Sequence, residues 1–221
     1  MAAALRQLAS STDGDIATRA VSQEAGVTQP VLYRLFGDKQ GLLDAVVEAA
    51  LERYAQRKGG LESTGDPVAD LRAGWDDHTA FALDNPALYR LMFAPRSGSA
   101  ASAHQKIFTL LEATLTRCAA AGALTMTPRQ AAQLILPANI GLALSLIAQP
   151  ALFDDPDLSR RTREATFSTI LVEAGAAATT NSVRDAARQL HAQLLLEGTP
   201  ELEAVEVALL TRWLERLDTT R

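Results

Sequence analysis

Glu24-Ala-Gly-Val-Thr-Gln-Pro-Val-Leu-Tyr-Arg-Leu-Phe36, followed by Gly37-Asp38-Lys39, sets a helix end, a turn and a new helix start within sixteen residues. Gly26 stands where one helix stops and the chain reverses, a place that favours positive φ and therefore glycine. Thr28 is positioned to accept a hydrogen bond from the freed amides of the next helix. Pro30 falls in that helix's first turn, where a missing N–H does no harm. The plan is that of a helix-turn-helix, which makes double-stranded DNA the leading partner.

On the short helix from Gln29, the residues Leu32, Leu35 and Phe36 share a face by i, i+3, i+4 spacing. They are expected to pack on the preceding helix, Thr18 to Ala25, through Val21 and Ala25. The opposite face carries Gln29, Pro30, Tyr33 and Arg34. A glutamine amide pairs with an adenine edge, proline touches a thymine methyl, and tyrosine and arginine hold phosphates. Asp38 is expected to cap the next helix, with Lys39 at its start beside the DNA backbone.

The run Thr18-Arg-Ala-Val-Ser-Gln-Glu-Ala-Gly-Val-Thr-Gln-Pro-Val-Leu-Tyr-Arg-Leu-Phe-Gly-Asp-Lys-Gln-Gly-Leu-Leu43 resembles the DNA-binding domain of the TetR family of bacterial transcriptional regulators. The matching features are Ala-Gly-Val-Thr at the turn, Leu-Tyr-x-x-Phe in the recognition helix and Asp-Lys-x-x-Leu-Leu at the start of the fourth helix. They cover roughly residues 3 to 58. The resemblance implies an all-α protein with a three-helix DNA-binding head over residues 1–45. A helical effector-binding and dimerisation domain would occupy residues 46–221. It also implies a homodimer on a palindromic operator and a small-molecule effector that relieves repression. Thr18, Arg19, Thr28, Gln29, Pro30, Tyr33, Arg34 and Lys39 become the DNA-contacting set. One departure is that the first helix begins almost at Met1, without the basic arm that many members carry ahead of it.

Composition agrees with a helical protein. The 221 residues are 48% hydrophobic, with alanine and leucine prominent and β-branched runs scarce. A single cysteine, Cys118, leaves no internal disulfide framework and fits a reducing cytoplasm. No secretory leader pattern opens the sequence, so a cytoplasmic protein is expected. Net charge is −5, unusual for a DNA binder. Over residues 1–58 the cations Arg6, Arg19, Arg34, Lys39, Arg53, Arg57 and Lys58 are balanced by Asp13, Asp15, Glu24, Asp38, Asp44, Glu48 and Glu52. A neutral head binds DNA only if its cations gather on one side, and such binding is expected to be modest and salt-sensitive.

Further helices are read over Ala2 to Ala9, Lys39 to Arg57, Pro67 to Leu83, Ala87 to Phe93 and Ala103 to Ala121. Others follow from Thr127-Pro128 to Gln149, and near Asp157 to Ala177, Ser182 to Glu197 and Pro200 to Leu217. Ser10 to Asp15, Gly59 to Pro67 and Ser97 to Ser102 read as loops. Ala174 to Thr180 is biased enough to fray. The stretch Gln133 to Ile147 is apolar all round, which predicts burial on every side. A membrane span is not expected, because the stretch is short and holds Pro137 and Asn139. Pro137, Gly141 and Ser145 share a face that another helix could approach closely, so core and dimer interface both remain open. The last helix, with Val205, Leu209, Leu210, Trp213, Leu214 and Leu217, is a second surface for a partner.

Effector contacts are harder to read. Trp75, His78, Phe81, Tyr89, Met92, Phe93, Phe108 and Asn139 concentrate aromatic and polar groups in the middle helices. They form either a pocket for a hydrophobic or aromatic ligand or ordinary core. Asn139 in an apolar helix needs a partner. His78, His104 and His191 lack metal-ligand spacing, no phosphate loop or nucleophile elbow is present, and Cys118 reads as a buried apolar thiol. No cofactor, metal or enzymatic activity is therefore expected. The alternative is a helical small-molecule-binding protein or enzyme on the same scaffold, with little or no DNA binding.

Overall fold

Capping side chains fix where several helices begin, and they are visible in the computed structural model, which describes residues 2–9, 16–61, 63–93, 101–172 and 182–219. The chain is all-α. Its N-terminal part holds α1 (Ala2–Ala9), α2 (Thr18–Glu24), α3 (Gln29–Phe36) and α4 (Lys39–Gly59). Then come α5 (Pro67–Asp84), α6 (Pro86–Phe93), α7 (Ala101–Ala120) and α8 (Pro128–Ala148). The last helices are α9 (Leu158–Ile170), α10 (Val183–Glu197) and α11 (Ala204–Thr219).

Asp38 Oδ1 accepts from the Gly41 amide at 2.8 Å and caps α4. Asp66 Oδ1 accepts from the Val68 and Ala69 amides at 2.9 and 3.0 Å, with Pro67 following at the first helical position of α5. Thr127 and Gln130 form a reciprocal capping box at α8, and Ser182 with Asp185 forms another at α10. Each box satisfies two orphan amides, so a boundary is set by local chemistry before any tertiary contact forms.

The expected boundaries hold to within a few residues except at two places. The ninth helix stops at Ile170 instead of continuing towards Ala177. Leu171 is extended and forms an isolated antiparallel bridge with Leu124, in which the Thr125 amide donates to the Ile170 carbonyl at 2.9 Å and the Val172 amide to Ala123 at 2.9 Å. Pairing across the two segments outweighs local helix propensity there. The last helix starts at Ala204 and not at Pro200, because Leu202 closes a turn onto Thr199 and the Glu203 amide is held by the Glu206 carboxylate. Ser10 to Asp15, most of Ser97 to Ser102 and Ala174 to Thr180 lie outside the described residues.

The expectation that the apolar eighth helix is buried all round is not met. Ala131, Ala132, Ile135, Asn139, Leu142 and Ala143 are buried, whereas Leu134, Pro137 and Gly141 are exposed. Only 28% of its most apolar window is buried. Length also fails as an argument against a span, since α8 has 21 residues and is apolar enough to cross a membrane. Its buried side packs into protein, and Asn139 Nδ2 donates to the Trp75 carbonyl at 3.2 Å.

Two compact units emerge. The first comprises residues 1–61, 76–107 and 140–156. Here α1 packs on α2 and α6, α2 on α3, α3 on α4, and α4 on α6. Leu8, Leu42, Val46 and Leu51 are fully buried at its centre. The second comprises residues 62–75, 108–139 and 157–221, with Leu115, Cys118, Phe167 and Ile170 inside and α10 running along α11. Trp75 stands edge-on to Phe167 at 5.9 Å and donates its indole N–H to Ser159 at 3.1 Å. Arg188 is buried and ties α10 to α11. Its Nη2 reaches Asp218 Oδ1 at 2.8 Å while Nη1 donates to the Leu124 carbonyl at 2.8 Å.

Candidate nucleic-acid interface and effector cluster

The turn between α2 and α3 is built as its residues require. Gly26 has φ 67°, the left-handed conformation that ends α2, and the Val27 amide donates back to Ser22 at 3.0 Å. Thr28 begins α3 in extended geometry, and its carbonyl accepts from Val31 and Leu32 at 3.1 Å each. Its hydroxyl makes no capping bond, contrary to expectation. Pro30 already removes one of the amides such a hydroxyl would serve.

Recognition helix α3 is anchored by fewer residues than the spacing implies. Leu32 is buried and Phe36 half-buried, but Leu35 is 67% exposed and Ala25 is also exposed. Leu35 precedes Phe36 by one residue and so lies about 100° round the helix from it, off the inner arc. Ala25 sits at the helix end as the C-cap, beyond the surface that Val21 buries. At the far end Gly37 has φ 80° and turns the chain into α4.

Gly41 is the structural requirement that sequence reading missed. A Cβ there would lie 1.9 Å from the Phe36 carbonyl oxygen, so the first turn of α4 packs against the end of α3 only with glycine at this place. A glycine two residues after a helix-starting Asp-Lys, where helix propensity disfavours it, was the available signal.

On the outer side the structure brings Thr18, Gln29 and Tyr33 together. Thr18 Oγ1 and Tyr33 Oη are 3.2 Å apart, and Gln29 Nε2 approaches Thr18 Oγ1 at 3.5 Å. The start of α2 thereby positions two side chains of α3. Arg19, Thr28, Pro30, Tyr33, Arg34 and Lys39 are exposed, and Gln29 and Thr18 are half-buried. Glu24 is turned away to α1, where Arg6 pairs with it and Gln7 Nε2 donates at 3.0 Å. Those hydrogen bonds hold its carboxyl below the usual range.

The eight residues proposed as effector contacts are drawn from both units. His78, Phe81, Tyr89, Met92 and Phe93 belong to the first unit, whereas Trp75, Phe108 and Asn139 belong to the second. In the first unit His78 is buried between two tyrosines. Its Nδ1 lies 2.5 Å from Tyr54 Oη and its Nε2 2.6 Å from Tyr89 Oη. Burial pushes the His78 pKa down to about 3, so the ring is neutral at physiological pH. One ring nitrogen then donates and the other accepts, and the two hydroxyls take opposite roles. Phe93 stacks at 4.6 Å from Tyr89 and Met92 is buried with it. Tyr54, absent from the expected set, is the missed member; it reads as an ordinary core position of α4. In the second unit Phe108 lies under the Arg129 guanidinium at 5.5 Å. Cys118 is buried, donates to the Pro67 carbonyl at 3.3 Å and has its thiol pKa pushed up to about 12 by burial.

A cleft of about 470 Å3 opens within the first unit, between α1, α4, the end of α5 and the start of α6. Of the expected effector contacts only Phe81 lines it.

The family described as "Bacterial regulatory proteins, tetR family" matches this chain over residues 1–46. No curated protein matches the chain. Solved structures with a similar fold include the fatty acid degradation regulator FadR of Bacillus halodurans, 16% identical, with 75% of this chain and 95% of that one covered at a TM-score of 0.60. FadR of Bacillus subtilis, solved in complex with stearoyl-CoA, is 18% identical over 76% and 96% of the two chains, with a TM-score of 0.59. NalD, the secondary repressor of the MexAB-OprM multidrug efflux pump in Pseudomonas aeruginosa, is 18% identical over 78% and 96%, with a TM-score of 0.54. At such identities these three share a fold with the chain. The match over residues 1–46, which contains the whole helix-turn-helix, makes that segment similar to the DNA-binding head of bacterial regulatory proteins of the tetR family.

Proposed function

We propose that the protein is a homodimeric transcriptional repressor that occludes a palindromic operator until a small molecule binds outside the head. The observation that carries this is the Thr18, Gln29 and Tyr33 constellation on the exposed side of α3, with Leu32 holding the opposite side inside. Gln29 reads a base edge, and Pro30 lies beside it against a thymine methyl. Thr18, Arg19, Thr28, Tyr33, Arg34 and Lys39 hold phosphates. The head covers residues 1–45 and the effector and dimerisation region residues 46–221. No enzymatic step is assigned, and the protein works in the cytoplasm, where its DNA is.

One recognition helix reads too few base pairs to select a promoter, so a symmetric pair is needed. The α10–α11 hairpin supplies a surface for it. Val205, Leu209, Trp213 and Leu217 follow i, i+4 spacing on α11, and each is at least 45% exposed. Leu190 and Leu195 add exposed apolar area on α10. A row of that kind on a soluble regulator is covered by a second copy.

Electrophoretic mobility shift with the DNA upstream of the protein's own gene tests the proposal. Specific retardation is expected. Tyr33→Ala weakens binding to specific and random DNA alike, whereas Gln29→Ala relaxes base preference and leaves random-DNA binding intact. Equal loss on both DNAs in the Gln29 variant would remove it from the base-reading role. No retardation at low salt would favour a ligand-binding protein that has lost DNA affinity.

A further inference from the structure

The cleft in the first unit has an apolar floor and two unmatched charges. Leu5 of α1, Tyr54 of α4, Phe81 of α5 and Ala87 of α6 line it. Arg53, Arg57, Asp84 and Asn85 supply its polar groups. Two of these four are already engaged. The Arg57 guanidinium pairs with Asp77 and lies 5.6 Å from the centre of the Phe81 ring, and Asn85 Nδ2 donates to the Phe81 carbonyl at 3.0 Å. Arg53 and Asp84 are exposed at the cleft and make no ion pair with each other or with any other described residue. A cation and an anion thus face one apolar cavity without forming an ion pair with each other.

We infer that this cleft binds a small zwitterion with an apolar, ring-bearing body, its anionic end on Arg53, its cationic end on Asp84 and its body against Tyr54 and Phe81. A cavity of about 470 Å3 lies in the range used for small-molecule ligands. The site differs from the buried His78 cluster, whose polar atoms are satisfied internally. Its place in the fold gives it a consequence that rests on the repressor proposal. Among the described elements, α6 packs on both α1 and α4, and α4 packs on recognition helix α3. A ligand seated between Leu5 and Ala87 bears on the α1–α6 contact, and it shifts the head only so far as it prefers one arrangement of that contact.

Tryptophan, tryptamine and indole-3-propionate share a body and differ in charge, and calorimetric titration of the whole protein without DNA reads the site directly. Tryptophan is expected to bind about three- to tenfold tighter than either relative. Arg53→Gln removes its advantage over tryptamine, and Asp84→Asn removes its advantage over indole-3-propionate. Both positions are exposed, so the variants fold; Arg129→Gln, in the other unit, leaves all three affinities unchanged. Absence of binding at millimolar concentration, or equal effects of all three variants on all three compounds, overturns the site. Tryptophan is expected to release operator DNA from the wild type, and the Arg53 variant should need about three- to tenfold more of it for the same release. Binding without any change in DNA affinity overturns the coupling. A protein that never binds DNA fails the repressor proposal instead, and the titration then still decides the cleft.

Discussion

At Gly41 a single hydrogen atom decides whether the head closes. The Phe36 carbonyl occupies the place of a side chain, so Gly41→Ala forces α3 and α4 apart despite alanine's better helix propensity. The expected loss is on the order of 2 kcal/mol or more, read as a lower urea midpoint, together with lost operator binding. An unchanged midpoint would show that the two helices can slide without cost. His78 makes a second residue-scale prediction, this time in pH. Its folded pKa, about 3, lies below its ordinary 6.5. Between these values the unfolded chain binds a proton that the folded chain refuses, so stability falls as pH drops from about 6.5 towards 3. The slope from this one ring approaches 1.4 kcal/mol per pH unit. Urea titrations from pH 7 to 4.5 should show a shallower decline in His78→Gln, which cannot take up that proton. Parallel curves for the two proteins would assign the acid sensitivity to carboxylates such as Asp77.

At the scale of elements, what could be read in the chain was what local chemistry decides. Gly26, Pro30 and Asp38 mark their boundaries because a positive φ, a tolerated ring and a capping carboxylate act within a few residues. The face of α3 was only partly legible, since i, i+3, i+4 spacing admits Leu35 and only the tertiary position of the helix axis excludes it. In α8 the same limit is larger. Apolarity on all sides states that the helix avoids water, but not whether its own fold or another molecule covers it, and Leu134, Pro137 and Gly141 are left uncovered by the chain itself. The effector residues were not legible as a set because sequence gives no distance between helices, and Trp75 and His78, three residues apart on α5, are assigned to different units. The α11 stripe carries the prediction at this scale. Trp213→Glu places a charge in the middle of the apolar row and should convert a dimer to a monomer in sedimentation velocity, with helicity unchanged. A variant that stays dimeric would move the interface to the open face of α8.

For the whole molecule, the distribution of charge sets how it meets DNA. If Arg19, Arg34 and Lys39 each neutralise one phosphate per head, a dimer releases about six counterions' worth of charge, and log K should fall with log salt at a slope of about −5. Lys39→Ala should reduce the slope by about two, measured by fluorescence anisotropy across a salt series. A slope unaffected by the substitution would take Lys39 off the DNA backbone.

The pairing of Glu24 with Arg6 and Gln7 bears on where such a regulator spends its time. The Glu24 carboxylate tethered to α1 offsets the charge of the exposed Arg6, so neither group acts on DNA as a lone charge and Arg6 is a weaker hold on arbitrary sequence. With little general adhesion, few copies are parked on the rest of the chromosome. A small population of dimers could then keep its promoter occupied, and a modest drop in operator affinity would free it without a reservoir of loosely held protein to refill the site.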